Sequence, residues 1–129
     1  MKSKTKRILL GIVFLGLFLT VPAWGAEVIK IGFSGPLSGG AAKYGKNCLD
    51  GMVMAMEEIN AKGGITVAGK KYKIEIISLD DRYKPDLTVQ NARRMVSLDK
   101  VPSVFCPHSG GILAMMNFNE KEDFFVMGY

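Results

Sequence analysis

Apolar and polar positions along the chain follow two periods in turn. Val28-Ile29-Lys30-Ile31-Gly32-Phe33 reads as a first strand, and Tyr72-Lys73-Ile74-Glu75-Ile76-Ile77-Ser78-Leu79 as a second with partial alternation. Shorter apolar runs at Val101–Cys106 and Phe124–Met127 suit a third and a fourth. Between the first two strands, Cys48, Met52, Ala55 or Met56, and Ile59 recur at three- and four-residue spacing, with Glu57, Glu58 and Lys62 off that stripe. This predicts a core-facing helix ended by Gly63-Gly64. Pro85 fits the first position of a second helix and Asp86 its first turn, and Leu87, Ala92, Met95 or Val96 supply an apolar face as far as Lys100. A third, shorter helix is expected from Gly111 to about Asn119.

Strands and helices therefore alternate. That order predicts an α/β fold: a Rossmann-like parallel sheet with flanking helices, its strands joined by right-handed crossovers. Ligands of such sheets sit outside the carboxyl ends of the strands, so the loops that matter are Ser34–Lys43, Asp80–Lys84 and Pro107–Gly110.

The N-terminus has a different character. Lys2, Lys4, Lys6 and Arg7 precede an apolar core from Ile8 to Val21, and Pro22 ends it before Ala23-Trp24-Gly25, a pattern of export signals cut before Ala26. An uncleaved anchor is the competing reading. At about 1.5 Å per residue the apolar core reaches roughly 21 Å, short of the about 30 Å of a bilayer interior, so no stable membrane insertion is expected after cleavage. Residues 1–25 are thus expected to be a signal peptide and 26–129 a single small domain.

Charge follows from that division. Of 17 basic residues, four lie in the signal, while all 12 acidic ones lie in the body, which is left nearly neutral. With no basic run interleaved with aromatics, nucleic acid is excluded as a partner.

Several residue groups could carry chemistry. Gly40-Ala41-Ala42-Lys43-Tyr44-Gly45-Lys46-Asn47 misses a phosphate-binding P-loop by one residue, because Asn47 stands where a hydroxyl should meet magnesium. Asp80-Asp81 is either a metal or acid/base pair or, as strand-end carboxylates usually are, solvated or capping nearby N–H groups. Cys48 and Cys106, the only cysteines, could pair in an oxidising compartment only if their Cα atoms came within about 7 Å. His108 with Cys106 is too sparse for zinc, and no cofactor is expected. His108-Ser109-Gly110-Gly111 follows a strand and opens a helix, where a hydroxyl and open N–H groups at the positive helix end can hold a carboxylate; a plain helix cap at Ser109 is the alternative.

IKIGFSGPLSGGAAKYGKN, EEINAKGGI and IISLDDRYKP, in that order and spacing, resemble the start of periplasmic branched-chain amino acid (leucine) binding proteins, the substrate-binding components of ABC transporters. The resemblance implies a two-lobed, non-catalytic periplasmic receptor that closes on an amino acid ligand and delivers it to an inner-membrane ABC permease. Family members are much longer, so it covers only the opening part of lobe one and implies a truncated frame or fragment. The last strand is then expected to leave an apolar face uncovered and to favour association.

The resemblance puts the ligand's α-carboxylate near Ser109 and Gly110. It matches Tyr44 to an aromatic lining the ligand's side-chain pocket, against an ordinary packing role for a tyrosine. Ser34, Leu37 and Ser38 belong to the same rim, and His108 either touches the ligand or hydrogen-bonds its own loop. The family's usual disulfide would fall at Tyr83 and Ser109, which this chain fills with other residues, and its ammonium-binding acid lies in the second lobe. A sensory receptor module built on the same fold is the alternative function, and an enzyme is disfavoured for want of a triad, metal cluster or intact nucleotide loop.

Overall fold

The computed structural model describes residues 27–128; the expected signal peptide lies outside the described residues. The elements run β1 (Glu27–Gly35), α1 (Ala42–Ala61), β2 (Ile65–Val67), β3 (Lys70–Asp80), α2 (Pro85–Arg94) with a π-helical extension (Met95–Asp99), β4 (Ser103–Phe105), α3 (Ser109–Met116) and β5 (Phe125–Met127). They build one sheet in the order β2-β3-β1-β4-β5. β1 lies parallel to β3 and β4, and β4 parallel to β5, as strand–helix–strand alternation predicts.

One strand departs from that expectation. β2 is antiparallel to β3, joined by a two-residue turn in which Ala68 (φ 49°) and Gly69 (φ 81°) are both left-handed. Three residues between a Gly-Gly pair and an Ala-Gly turn are too few to show a period, so the strand was not legible and the sheet is mixed.

α1 ends where its glycines place it, with Gly63 and Gly64 at φ 99° and 87°. Its apolar stripe faces the sheet across a space of about 150 Å³ lined by Met52, Met56, Ile59, Ile31, Ile74 and Ile76. The Asn60 amide fixes the helix end to β3 through Nδ2 to Ile74 O (2.8 Å) and Ile74 N to Oδ1 (2.9 Å). α2 starts at Pro85 with Asp86 in its first turn, and the π-helical turn that follows is stopped by Lys100 at φ 59°.

The main core lies under α2 and α3. Ala92, Met95, Val104, Cys106 and Met115 are fully buried there, with Val101, Phe118 and Phe124 around them. Such burial contributes roughly 1.5–3 kcal/mol for each large apolar side chain, and it anchors β4 and α3 under the loops that matter. On β5 the packing is incomplete: Phe125 is 75% exposed and Met127 37%. Among the described residues no helix is long and apolar enough to cross a membrane.

Candidate functional site

Three loops meet at the carboxyl ends of β1, β3 and β4, and Asp80, the last residue of β3, and Asp81, the next, tie them together. Asp80 Oδ1 accepts from Leu37 N (2.8 Å) and Arg82 N (2.9 Å), and its Oδ2 accepts from Ser38 Oγ. Burial alone would raise this carboxyl, but the hydrogen bonds from the Ser38 hydroxyl and from the N–H groups of Arg82, Leu37 and Ser38 outweigh it and hold the group below its ordinary 3.8. Leu37 and Ser38 are thereby fixed on the rim.

Asp81, the next residue, points inward and is fully buried. Its Oδ2 accepts from Ser34 Oγ (3.1 Å) and Thr88 Oγ1 (2.9 Å) and lies 3.0 Å from His108 Nε2, while Oδ1 accepts from Tyr83 N (2.9 Å). Asn91 Nδ2 reaches Ser34 Oγ and Asp80 O, both at 3.1 Å. Arg82 (φ 51°) and Tyr83 (φ 63°) are both left-handed, a conformation unfavourable for side chains with Cβ and stabilised here because their N–H groups meet the two carboxylates. The turn lays the Tyr83 ring on the His108 imidazole, with centroids 4.6 Å apart.

The third loop carries the helix end. His108 caps α3: Gly111 N donates to its Nδ1 (3.0 Å) and Ile112 N to its carbonyl (3.2 Å). Among the described residues, neither Ser109 N nor Gly110 N donates to a protein group. Gly111 must be a glycine, since a Cβ there would come within 2.5 Å of Cys106 Sγ and 2.8 Å of the imidazole. Tyr44, in the first turn of α1, closes the rim by donating its hydroxyl to Pro107 O. Gly45 lets α1 approach that closely, because a Cβ would lie 2.0 Å from Pro36 O.

Five of the seven expected ligand-facing residues lie along this rim: Tyr44 and Ser109 flank Pro107, Gly110 follows, and Leu37 and Ser38 stand on the neighbouring loop. The other two do not. Ser34 is 0% and His108 5% exposed, and their polar atoms are spent on the Asp81 network, so they support the rim from beneath. Sequence reading missed Asp81 as the hub, Thr88 as its partner, and Asn91 as the brace on Ser34 and the Asp80 carbonyl. The signal was an Asp-Asp pair ending a strand, with a threonine seven residues on, on the inner face of the next helix.

Other chemistry does not fit the geometry. The donor atoms of Asp81, Cys106 and His108 come within 4.8 Å of one another, but they are engaged by protein hydrogen bonds, including Cys106 Sγ to His108 O (3.5 Å). Burial pushes the Cys106 thiol up to about 11, with the Asp81 charge adding to it against the hydrogen bonds at His108 and Thr88, which keeps the sulfur a neutral thiol near neutral pH. No disulfide joins Cys106 to Cys48. The P-loop-like segment forms no loop: Ala42 to Asn47 are helical and Gly45 is packed on Pro36, which leaves no cradle for phosphate.

Comparison with known proteins agrees with this architecture. The family model described as periplasmic binding protein matches residues 28–129. The Leu/Ile/Val-binding protein of Escherichia coli K12 is 36% identical over 97 residues, 75% of this chain and 24% of that protein. Among solved structures, the branched-chain amino acid transporter substrate binding protein LivJ of Streptococcus pneumoniae, in complex with isoleucine, superposes with a TM-score of 0.69 at 32% identity, covering 79% of this chain and 28% of that one. A solute binding protein of an ABC transporter from Rhodopseudomonas palustris BisB5, in complex with 3,4-dihydroxybenzoic acid, gives 0.63 at 31% identity over 78% of this chain and 26% of that one. The chain thus spans about a quarter of the length of these relatives. With the matched sheet, helices and loops accounting for almost all of the described residues, the chain belongs to the periplasmic binding protein family.

Proposed function

We propose that this chain supplies lobe-one binding surface for an extracytoplasmic solute receptor that captures an amino acid, branched-chain or similar, for uptake through an inner-membrane ABC permease. The observation that carries the reading is the N-terminus of α3, where Ser109 N and Gly110 N donate to no protein group among the described residues and Tyr44 stands beside them on Pro107. Two such N–H groups at the positive end of a helix, with the Ser109 hydroxyl, suit a carboxylate. Isoleucine and 3,4-dihydroxybenzoic acid, bound by two relatives, differ in body and share a carboxylate. Leu37 and the ring of Tyr44 would then meet the ligand's apolar part, and closure by a facing lobe would exclude water.

The role is receptor, not catalyst: affinity comes from hydrogen bonds and apolar contact, and no bond is broken. An export signal at residues 1–25 would place it in the periplasm. Calorimetry with L-leucine, L-isoleucine and 3,4-dihydroxybenzoate tests the reading, with leucinamide, which lacks the carboxylate, as control. Binding of at least one acid with none of the amide is the expected result, and Ser109→Ala should weaken it. Equal binding of L-leucine and leucinamide would overturn the carboxylate reading.

A further inference from the structure

Asp81 is a buried carboxylate that lies beneath the proposed ligand surface and takes no direct part in it. Four donors converge on it from four places in the chain: Ser34 at the end of β1, Tyr83 in the following turn, Thr88 in α2 and His108 before α3. With 0% exposure, its oxygens are satisfied entirely by protein groups. Simple capping of its own turn needs only Tyr83 N. The remaining contacts point to a second task.

That task lies in the imidazole. Gly111 N can only donate, so Nδ1 of His108, 3.0 Å away, carries a lone pair. In the neutral ring the proton then sits on Nε2, which donates to Asp81 Oδ2 at 3.0 Å. Without an acceptor opposite Nε2, the ring is free to take the opposite tautomer, which would set Nδ1–H against Gly111 N–H, two donors face to face, and open the first turn of α3. Tyr83 stacked on the ring and the burial of His108, 5% exposed, hold the imidazole in this pose.

We infer that Asp81 is a positioning residue: through the tautomer of His108 it closes Gly111 N and leaves Ser109 N and Gly110 N as the open pair at the start of α3. The consequence for ligand affinity rests on the proposed carboxylate site; the tautomer does not. The chain has one histidine, so a nitrogen-15 imidazole spectrum of the whole chain near neutral pH reports this ring alone. Wild type should show a protonated Nε2 and an unprotonated Nδ1. Asp81→Leu, which removes the acceptor at similar volume, should convert part or all of the population to the other tautomer and move the Gly111 amide signal, whereas Thr88→Val, which removes a different donor, should leave the ring unchanged.

In parallel, L-leucine affinity should fall about tenfold in Asp81→Leu, the scale of one lost charge-assisted hydrogen bond. A wild-type ring protonated on Nδ1 overturns the inference, as does a folded Asp81→Leu chain with tautomer and Gly111 amide unmoved. If that variant fails to fold, the wild-type spectrum decides. A chain that shows the tautomer and its loss yet ignores L-leucine upholds the positioning role and removes the ligand reading instead.

Discussion

The hydroxyl of Tyr44 donates to the carbonyl of Pro107, joining the first turn of α1 to the loop that opens α3 across 63 positions of sequence. The two stretches singled out for ligand contact therefore share one rim. Tyr44→Phe keeps the ring and removes the link, so stability should drop by about 0.5–1.5 kcal/mol, measured by urea denaturation, with L-leucine binding weakened alongside.

Asp80 gives the fold an acid limb. Its carboxyl is held below 3.8 in the folded chain, so in that range the unfolded chain binds more protons, and the stabilisation is complete above the unfolded value and lost as pH falls through the folded one. Denaturation midpoints measured between about pH 5 and pH 2 should fall with acid, and less steeply for Asp80→Asn.

Cys106 should be chemically silent. With its thiol pushed up to about 11 and the side chain fully buried, it should resist iodoacetamide at about pH 8 in the folded chain and react once urea unfolds it. Peptide mapping by mass spectrometry reads the site directly.

Gly111→Ala forces a methyl group against Cys106 Sγ and the His108 ring. A loss of about 1–3 kcal/mol is expected, read as a lowered thermal midpoint, because neither neighbour has room to retreat.

Phe125 and Met127 leave apolar surface on β5, an edge strand of the sheet. Residues 26–129 alone should associate in sedimentation velocity, and Phe125→Lys should shift them towards monomer, since a charge on an edge strand opposes pairing.

Much of this fold could be read from the order of residues. Val28–Phe33 and Tyr72–Leu79 carried enough strand-forming residues, and the Cys48–Ile59 stripe enough helical period, to fix β1, β3 and α1 to within a few residues. β2 escaped because three residues hold no period, and the π-helical turn at Met95–Asp99 because its sequence continues the stripe of α2. Within the site, the order of elements placed Ser109 and Gly110 between a strand and a helix, and the family resemblance singled out Tyr44, but neither could tell rim from underside. Ser34 and His108 look like surface residues by type, and only the convergence of Thr88, Tyr83 and Asp81 around them shows where their polar atoms are spent.

The most direct test is an amide-resolved NMR titration of the chain with L-leucine and, separately, leucinamide. The account predicts that the Ser109 and Gly110 amide signals move with L-leucine, Tyr44 ring signals move with them, and leucinamide leaves Ser109 and Gly110 in place. Identical shifts with both compounds, or L-leucine shifts confined to residues away from the Tyr44–Pro107 rim, would contradict it.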